Sequence, residues 1–252
     1  MPYLSRVRLN PLRGESRKLL ANPRAMHGAV LGGVADRPTG ERVLWRLDAD
    51  NPRRPMLFVL TESRPDWTHV VERAGWPDAE GEHAAVRDYA PLLARIATGR
   101  EFAFRLTANP VQNTSTPNAP STIQDKRKAE VRVRSFRIGH RTVADQLTWF
   151  LKRAEGWGFA VPEARTDPAA PGFDPPQDAV PAREVRIIAR HRQSFGKGGR
   201  GTPPVVLNTA TFEGRLRVTD ASLFTQRLLA GLGPGKAYGC GLLTLAALPE
   251  RP

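Results

Sequence analysis

The chain is short of cysteine, of apolar runs and of negative charge, and each shortage excludes something. One cysteine, Cys240, stands among 252 residues; this rules out an internal disulfide and any cysteine-built zinc site, and fits a reducing compartment. No segment approaches the roughly 18 consecutive apolar residues of a membrane-spanning helix, and the opening MPYLSRVRLN lacks the apolar core of a secretory signal. A cytoplasmic protein with no membrane partner is expected. Against 25 Asp and Glu stand 38 Lys and Arg, leaving a formal charge of +13. That excess exceeds what solubility requires and points to a polyanionic partner, nucleic acid before membrane. An Arg-rich genome alone would spread the arginines evenly, whereas here they cluster. With 40% hydrophobic residues, the chain can build one large domain or two of about 100–130 residues.

Apolar periodicity gives the first half an alternation of strands and helices. YLSRVRLN sets Leu4, Arg6 and Arg8 against Tyr3, Ser5, Val7 and Leu9, as a half-buried strand does. A helix follows over PRAMHGAVLGGV, with Asn22 as cap and Pro23 at its first position. RVLWRLD (Arg42 to Asp48) and PMLFVLTE (Pro55 to Glu62) read as strands, HAAVRDYAPLLARIA as a helix, and REFAFRLTANP as a fourth strand with Phe102, Phe104 and Leu106 on one face. The order βαββαβ is the ferredoxin-like arrangement.

Val111 to Gln124 is polar, punctuated by proline and without apolar period, so it reads as a linker. An N-terminal domain over 1–113 and a C-terminal one over 125–252 are therefore expected. The second half offers a basic strand, EVRVRSFRI, and an amphipathic helix, TVADQLTWFLKRAEGWGF, with Val143, Leu147, Phe150 and Leu151 on one face. After the proline-rich insert TDPAAPGFDPPQDAVP come the strands EVRIIARHRQSF and PVVLNTATFEGRLRVTD, joined by GKGGRGTP. The helix ASLFTQRLLAGL, a glycine loop and the strand CGLLTLAAL close the chain. The fold class predicted is α+β, two tandem ferredoxin-like (RRM-like) domains. The duplication rests on the order of elements, not on repeated residues.

The loop GLGPGKAYGCG invites comparison with a phosphate cradle, and the comparison fails. Ala230 stands where a Walker loop needs its first glycine, and Ala237 follows Lys236 where Ser or Thr is required. The G-x-G-x-x-G pattern meets Lys236 or Tyr238 at its third glycine. No strand carries the aromatic signature of an RRM, so base stacking on a sheet is not supported. Carboxylates are scattered, and His69, His83, His140 and His191 are isolated without metal-ligand spacing, so no metal and no cofactor is expected. Metal-free chemistry favours RNA, which brings its own nucleophile, the 2′-hydroxyl.

Among proton carriers His27 is the best placed, in the first turns of its helix with Arg24 three residues earlier on the same face. A packed structural histidine beside Met26 and Val30 is the alternative. The glycines that follow it, Gly28, Gly32 and Gly33, weaken the helix and permit close approach. Two basic clusters, Lys126, Arg127, Lys128, Arg132 and Arg134, then Arg183, Arg186, Arg190, Arg192, Lys197 and Arg200, suit contacts to successive phosphates; a solvated face is the alternative for each.

YLSRVRLNP, LLANPRAMH, FRLTANP, TWFLKRAEGWGF, FEGRLRVTD and GLGPGKAYGCGLLTLAAL, in this order, resemble the CasE endoribonucleases of type I-E CRISPR (Cascade) systems almost end to end. The resemblance implies two ferredoxin-like domains, binding of the CRISPR repeat RNA hairpin and metal-free cleavage at its base. The products would be a 2′,3′-cyclic phosphate and a 5′-hydroxyl, with the product retained in a complex with other Cascade subunits. It places the family's catalytic histidine on His27, a groove-binding hairpin around Lys197 and a further RNA-facing segment on Arg127 to Arg134. It makes the glycine loop the signature turn of the second domain, with Lys236 either a phosphate contact or purely structural. Arg24 stands where some relatives have a tyrosine, and Gly32 about where some have a lysine. The second proton donor or charge stabiliser is therefore open among Arg24, Arg190 and Arg192. The alternative function is a non-catalytic subunit of the same complex that only captures the hairpin.

Overall fold

The computed structural model describes residues 1–34, 38, 40–114, 136–164, 181–196 and 204–248. Within them β1 (Tyr3–Arg8), α1 (Gly14–Ala21), α2 (Pro23–Gly32), β2 (Leu44–Asp48), β3 (Met56–Thr61), α3 (Thr68–Ala74) and β4 (Ala84–Asp88) build the first unit. Its antiparallel sheet has the order β2-β3-β1-β4, so β1-α2-β2-β3-α3-β4 is the expected ferredoxin-like course, with α1 an additional helix. Register explains the faces. Ser5 lies opposite Val59, and Val59 opposite Trp45, while Val7 faces Leu57; Val7, Trp45, Leu57 and Val59 pack with Met26, Val30, Trp67, Val70 and Ala74 into one core.

Two readings are corrected here. HAAVRDYAPLLARIA is not a helix: Ala84–Asp88 is the strand β4, paired antiparallel with β1, and only the short α4 (Ala90–Leu93) follows it. Ala and Leu favour helix as isolated residues, but Ala84 and Val86 pack on the first core at a spacing of two, and pairing with β1 overrides propensity. The second helix of the unit is instead α3. The strand REFAFRLTANP exists as β5 (Glu101–Ala108), with Phe102, Phe104 and Leu106 buried as expected, but its hydrogen bonds go to the second sheet.

That second sheet runs β11-β5-β10-β8, with β9 also paired to β10. Its members are β5, β8 (Phe159–Ala160), β9 (Val185–Phe195), β10 (Val205–Val218) and β11 (Leu243–Ala246). Helices α5 (Val143–Ala154) and α6 (Ala221–Ala230) complete the same course, β5-α5-β9-β10-α6-β11. Hydrogen bonding thus crosses the boundary expected between 113 and 125. Within that expected linker, β6 (Val111–Thr114) pairs with β7 (Phe136–Gly139) as a two-stranded ribbon. The rest of the linker, most of EVRVRSFRI, the proline-rich insert up to Val180 and the tip KGGRGTP lie outside the described residues.

Helix α5 starts where Thr142 accepts from the Asp145 N–H. Its buried residues are Gln146, Trp149, Phe150 and Ala154. Val143, expected inside, is exposed, because Gln146 fills the buried place one turn in. Phe150 stacks on Phe212 with ring centroids 4.7 Å apart and on Phe104 at 5.5 Å, a geometry that adds to plain area burial.

The two units are joined by the far face of the first sheet. Leu4, Leu44, Phe58 and Leu60 pack into the core of the second unit, and among them lies Arg46, only 2% exposed. Its guanidinium grips Asp48 through Nε at 2.7 Å and Nη2 at 2.9 Å. Nη1 donates to the carbonyls of Arg105 (2.8 Å) and Leu242 (3.2 Å) and to Thr244 Oγ1 (2.9 Å), while Phe58 lies 5.3 Å beneath. One side chain of β2 therefore hydrogen-bonds the segments of β5 and β11. Arg46→Ala is expected to lower stability by about 3 kcal/mol, since it strands two carbonyls and takes from Asp48 the nearer of its two arginines; equilibrium urea unfolding measures this, and a loss under about 1 kcal/mol would contradict it.

Candidate active site and nucleic-acid interface

Helix α2 owes its start to Asn22, whose side chain accepts from the Arg24 N–H at 3.0 Å, and to Pro23 at the first position. Pro23, Met26 and Val30 are buried against the first sheet. The face left over carries Arg24, exposed, and His27, half-buried, one turn apart near the positive end of the helix. His69, one of the isolated histidines, is structural: its Nε2 lies 2.9 Å from the Ala29 carbonyl and fastens α3 to α2. The glycines after His27 divide similarly. A Cβ on Gly33 would meet the Trp67 ring at 2.4 Å, whereas one on Gly28 would meet nothing within 4 Å.

Against α2 lies the glycine loop of the second unit, through its turn Lys236–Tyr238. Three consecutive residues of β2 hold this loop. A Cβ on Gly231 would strike Leu44 at 2.6 Å, one on Gly239 would strike Trp45 at 2.7 Å, and Arg46 takes the Leu242 carbonyl. Both glycines also have positive φ, 78° and 81°, which side chains rarely adopt. Two of the loop's five glycines thus serve a joint between units, and the turn carrying Lys236 packs against the helix of His27. Burial first, then the charges of Arg42 and Arg227, draw the Lys236 ammonium below its ordinary pKa. Cys240, fully buried inside the loop, has its thiol pushed up to about 12 by burial alone.

A cavity of about 790 Å³ separates α2 from the second sheet. Pro23 and Met26 form one wall, His191, Gln193 and Thr209 another, and Tyr238 a third. Helix α2 and strand β9 therefore face one another. Arg190 and Arg192 stand on β9 in alternation with His191 and Gln193; Arg190 donates through Nε to Gln146 Oε1 at 2.9 Å and through Nη2 to the Arg141 carbonyl. The other end of the cavity is a closed ionic network in which Arg105 pairs with Asp48 (3.2 Å), Asp50 (2.6 Å) and Glu213.

Of the residues singled out from sequence, Arg24 and His27 share α2 and Lys236 lies in the turn packed against that helix, while Arg190 and Arg192 alternate on β9 with residues that line this cavity and themselves line a second one. Lys126, Arg127, Lys128, Arg132, Arg134, Lys197 and Arg200 lie outside the described residues. Sequence reasoning missed Arg42, Arg227, Arg141 and Tyr238. Only Gln146 left a signal, as a polar residue breaking an apolar helical stripe. Among the described residues no three His, Cys, Asp or Glu side chains are grouped to hold a metal ion, and no helix is long and apolar enough to cross a membrane.

Two antiparallel sheets of ferredoxin-like course, a histidine on α2 and a glycine loop closing the second unit define a two-unit ferredoxin-like α+β protein. The family described as "CRISPR associated protein" matches residues 2–247, and the chain belongs to that family. It is 28% identical to the CRISPR-associated endoribonuclease Cse3 of Thermus thermophilus over 247 residues, covering 97% of this chain and 99% of the relative. It is 26% identical to the CRISPR system Cascade subunit CasE of Escherichia coli K12 over 211 residues, covering 81% and 89%. The solved structure of Thermus thermophilus Cse3 bound to an RNA representing a pre-cleavage complex matches with a TM-score of 0.69 at 26% identity, over 97% of this chain and 98% of that one.

The packing around Gly239 and Gly28 generates opposite expectations. Gly239→Ala should cost about 2–4 kcal/mol, combining left-handed strain with the clash on Trp45. Gly28→Ala, in open space within a helix, should gain about 0.5–1 kcal/mol; thermal melts of the two variants read the difference. Iodoacetamide should leave Cys240 unmodified in the folded chain and label it fully in denaturant, as mass spectrometry would record.

Proposed function

We propose that this chain is a metal-independent endoribonuclease that binds the hairpin of CRISPR repeat RNA and cuts it by attack of the 2′-hydroxyl on the adjacent phosphate. The observation that carries the reading is the placement of His27: half-buried on α2, one turn from Arg24, on the helix against which the glycine loop of the other unit packs. Its neighbour in sequence, Met26, faces basic strand β9 across the cavity. The family match, the named endoribonuclease relative and the RNA-bound structure of that relative support it.

The chemistry asks little of the protein beyond alignment and proton movement. His27 takes the proton of the 2′-hydroxyl; the new bond from O2′ to phosphorus forms as the bond from phosphorus to O5′ breaks. The products are a 2′,3′-cyclic phosphate and a 5′-hydroxyl once the leaving oxygen gains a proton. Arginine stays protonated through any such cycle, so Arg24, one turn from His27, serves as the charge stabiliser. Lys236, with its lowered pKa and its place beside α2, is the cation suited to giving up a proton. Product held by the basic surface then remains with the protein as a subunit of a larger complex; the Escherichia coli relative is named a Cascade subunit. The two folding units divide between Asp88 and Glu101, where the first sheet ends and the second begins.

His27→Ala should slow single-turnover cleavage of the cognate repeat RNA by about 10²–10⁴-fold in chelator, with the dissociation constant for the hairpin changed by less than about threefold. Unchanged cleavage would remove His27 from the mechanism. Binding without cleavage by the unaltered chain would assign it to hairpin capture alone. A 2′-deoxy substitution at the cleaved nucleotide should abolish the reaction and the cyclic-phosphate end; cutting of the deoxy substrate would eliminate intramolecular attack.

A further inference from the structure

Three arginines packed between strands are paired with carboxylates: Arg46 with Asp48, Arg105 with Glu213, and Arg215 with Glu101 and Glu184. A cluster of three exposed arginines is held differently. A second cavity, of about 580 Å³, opens where the β6–β7 ribbon rejoins the body, between the start of α5 and the β9–β10 pair. Arg141, Arg190 and Arg192 line it, with His140 and Asn208, and no carboxylate does. None of the three arginines forms a salt bridge among the described residues. The nearest acid in sequence, Asp145, is occupied by the Thr142 hydroxyl at 2.6 Å.

The wall is constructed. Gln146 is 2% exposed, a costly place for an amide unless both its ends are satisfied. Both are: its Nε2 donates to the His140 carbonyl at 3.0 Å, and its Oε1 accepts from Arg190 Nε at 2.9 Å. The Arg141 carbonyl takes Nη2 of the same guanidinium. Arg190 is thus aimed entirely by neutral acceptors, which fix its direction and leave its charge uncompensated. Converging cations without a counter-charge repel one another, and an incoming anion relieves that repulsion.

We propose that this cavity seats one backbone phosphate of bound RNA, with Arg141, Arg190 and Arg192 as its anion ligands and Asn208 as a neutral donor. Planar guanidinium forks match phosphate oxygens in pairs. The site joins the ribbon to the hairpin, so an RNA strand following β9 passes over it. Gln146 is a positioning residue that acts through Arg190. The inference rests on the reading of the chain as an RNA-binding nuclease and extends it to four residues, Arg141, His140, Gln146 and Asn208, outside the basic clusters of the sequence.

The test uses the full chain and a hairpin of its own CRISPR repeat carrying a 2′-deoxy residue at the mapped cleavage nucleotide. Arg141→Ala and Arg192→Ala, both at exposed positions, should each weaken binding by about tenfold near 0.1 M salt. Each should also reduce the slope of log affinity against log salt by about 1. Methylphosphonate substitution scanned along the RNA should find a position that weakens binding to the unaltered chain but costs the double variant nothing further. If the variants keep the original affinity and slope, or every methylphosphonate penalty persists in the double variant, the site is overturned while the nuclease reading stands. If the unaltered chain neither binds nor cuts the hairpin, it is the nuclease reading that fails, and this proposal with it.

Discussion

The architecture depends on one buried cation. Arg46 sits in the contact between the first sheet and the second unit, where an unpaired charge would be intolerable. Its carboxylate partner comes from its own strand, two residues along, so the ion pair is complete before the units meet. What remains of the guanidinium is a directed set of N–H donors, and these are used for the carbonyls and hydroxyl of β5 and β11. A hydrophobic contact tolerates sliding, whereas a fan of hydrogen bonds from one rigid plane fixes both the distance and the angle between sheets. The neighbours Leu44 and Trp45 add steric limits by filling the space above two glycines.

The same fixation organises the chemistry. His27 belongs to the first unit, Lys236 and the β9 arginines to the second, and nothing covalent near the site joins them. Their mutual placement is inherited from β2, which lies under α2 on one face and grips the glycine loop with consecutive residues. Charges are sorted accordingly. Arginines that hold the units together are neutralised by Asp48, Asp50 and Glu213, while those of β9 beside α5 are left cationic and pointed by amides and carbonyls. A sequence count of basic residues merges these two populations.

The local course of the chain was largely legible. Alternation gave β1, β2, β3 and β5 to within a residue or two, and Asn22 with Pro23 marked α2. Failures came where pairing outweighed propensity. Ala84–Asp88 looks helical by composition and is held extended by β1. The strand β5 looks like the end of one unit because it follows that unit in sequence, but its partners lie more than a hundred residues downstream, and no periodicity encodes a partner. Likewise His27, Arg24 and Lys236 were each visible as residue types, while Gln146 and Arg141 acquire meaning only from the neighbour they aim.

The bond from Arg46 to the Leu242 carbonyl spans 196 positions, and that separation has a meaning for biosynthesis. The helix of His27 and its sheet are complete once Asp88 has been made, yet the surface facing them is supplied by β9, β10 and residues 231–246, which follow much later. A nascent chain therefore exposes the apolar back of its first sheet until those segments have emerged, and carries its histidine without an opposing surface. A chain shortened before residue 231 is left with the proposed proton carrier and none of the grip.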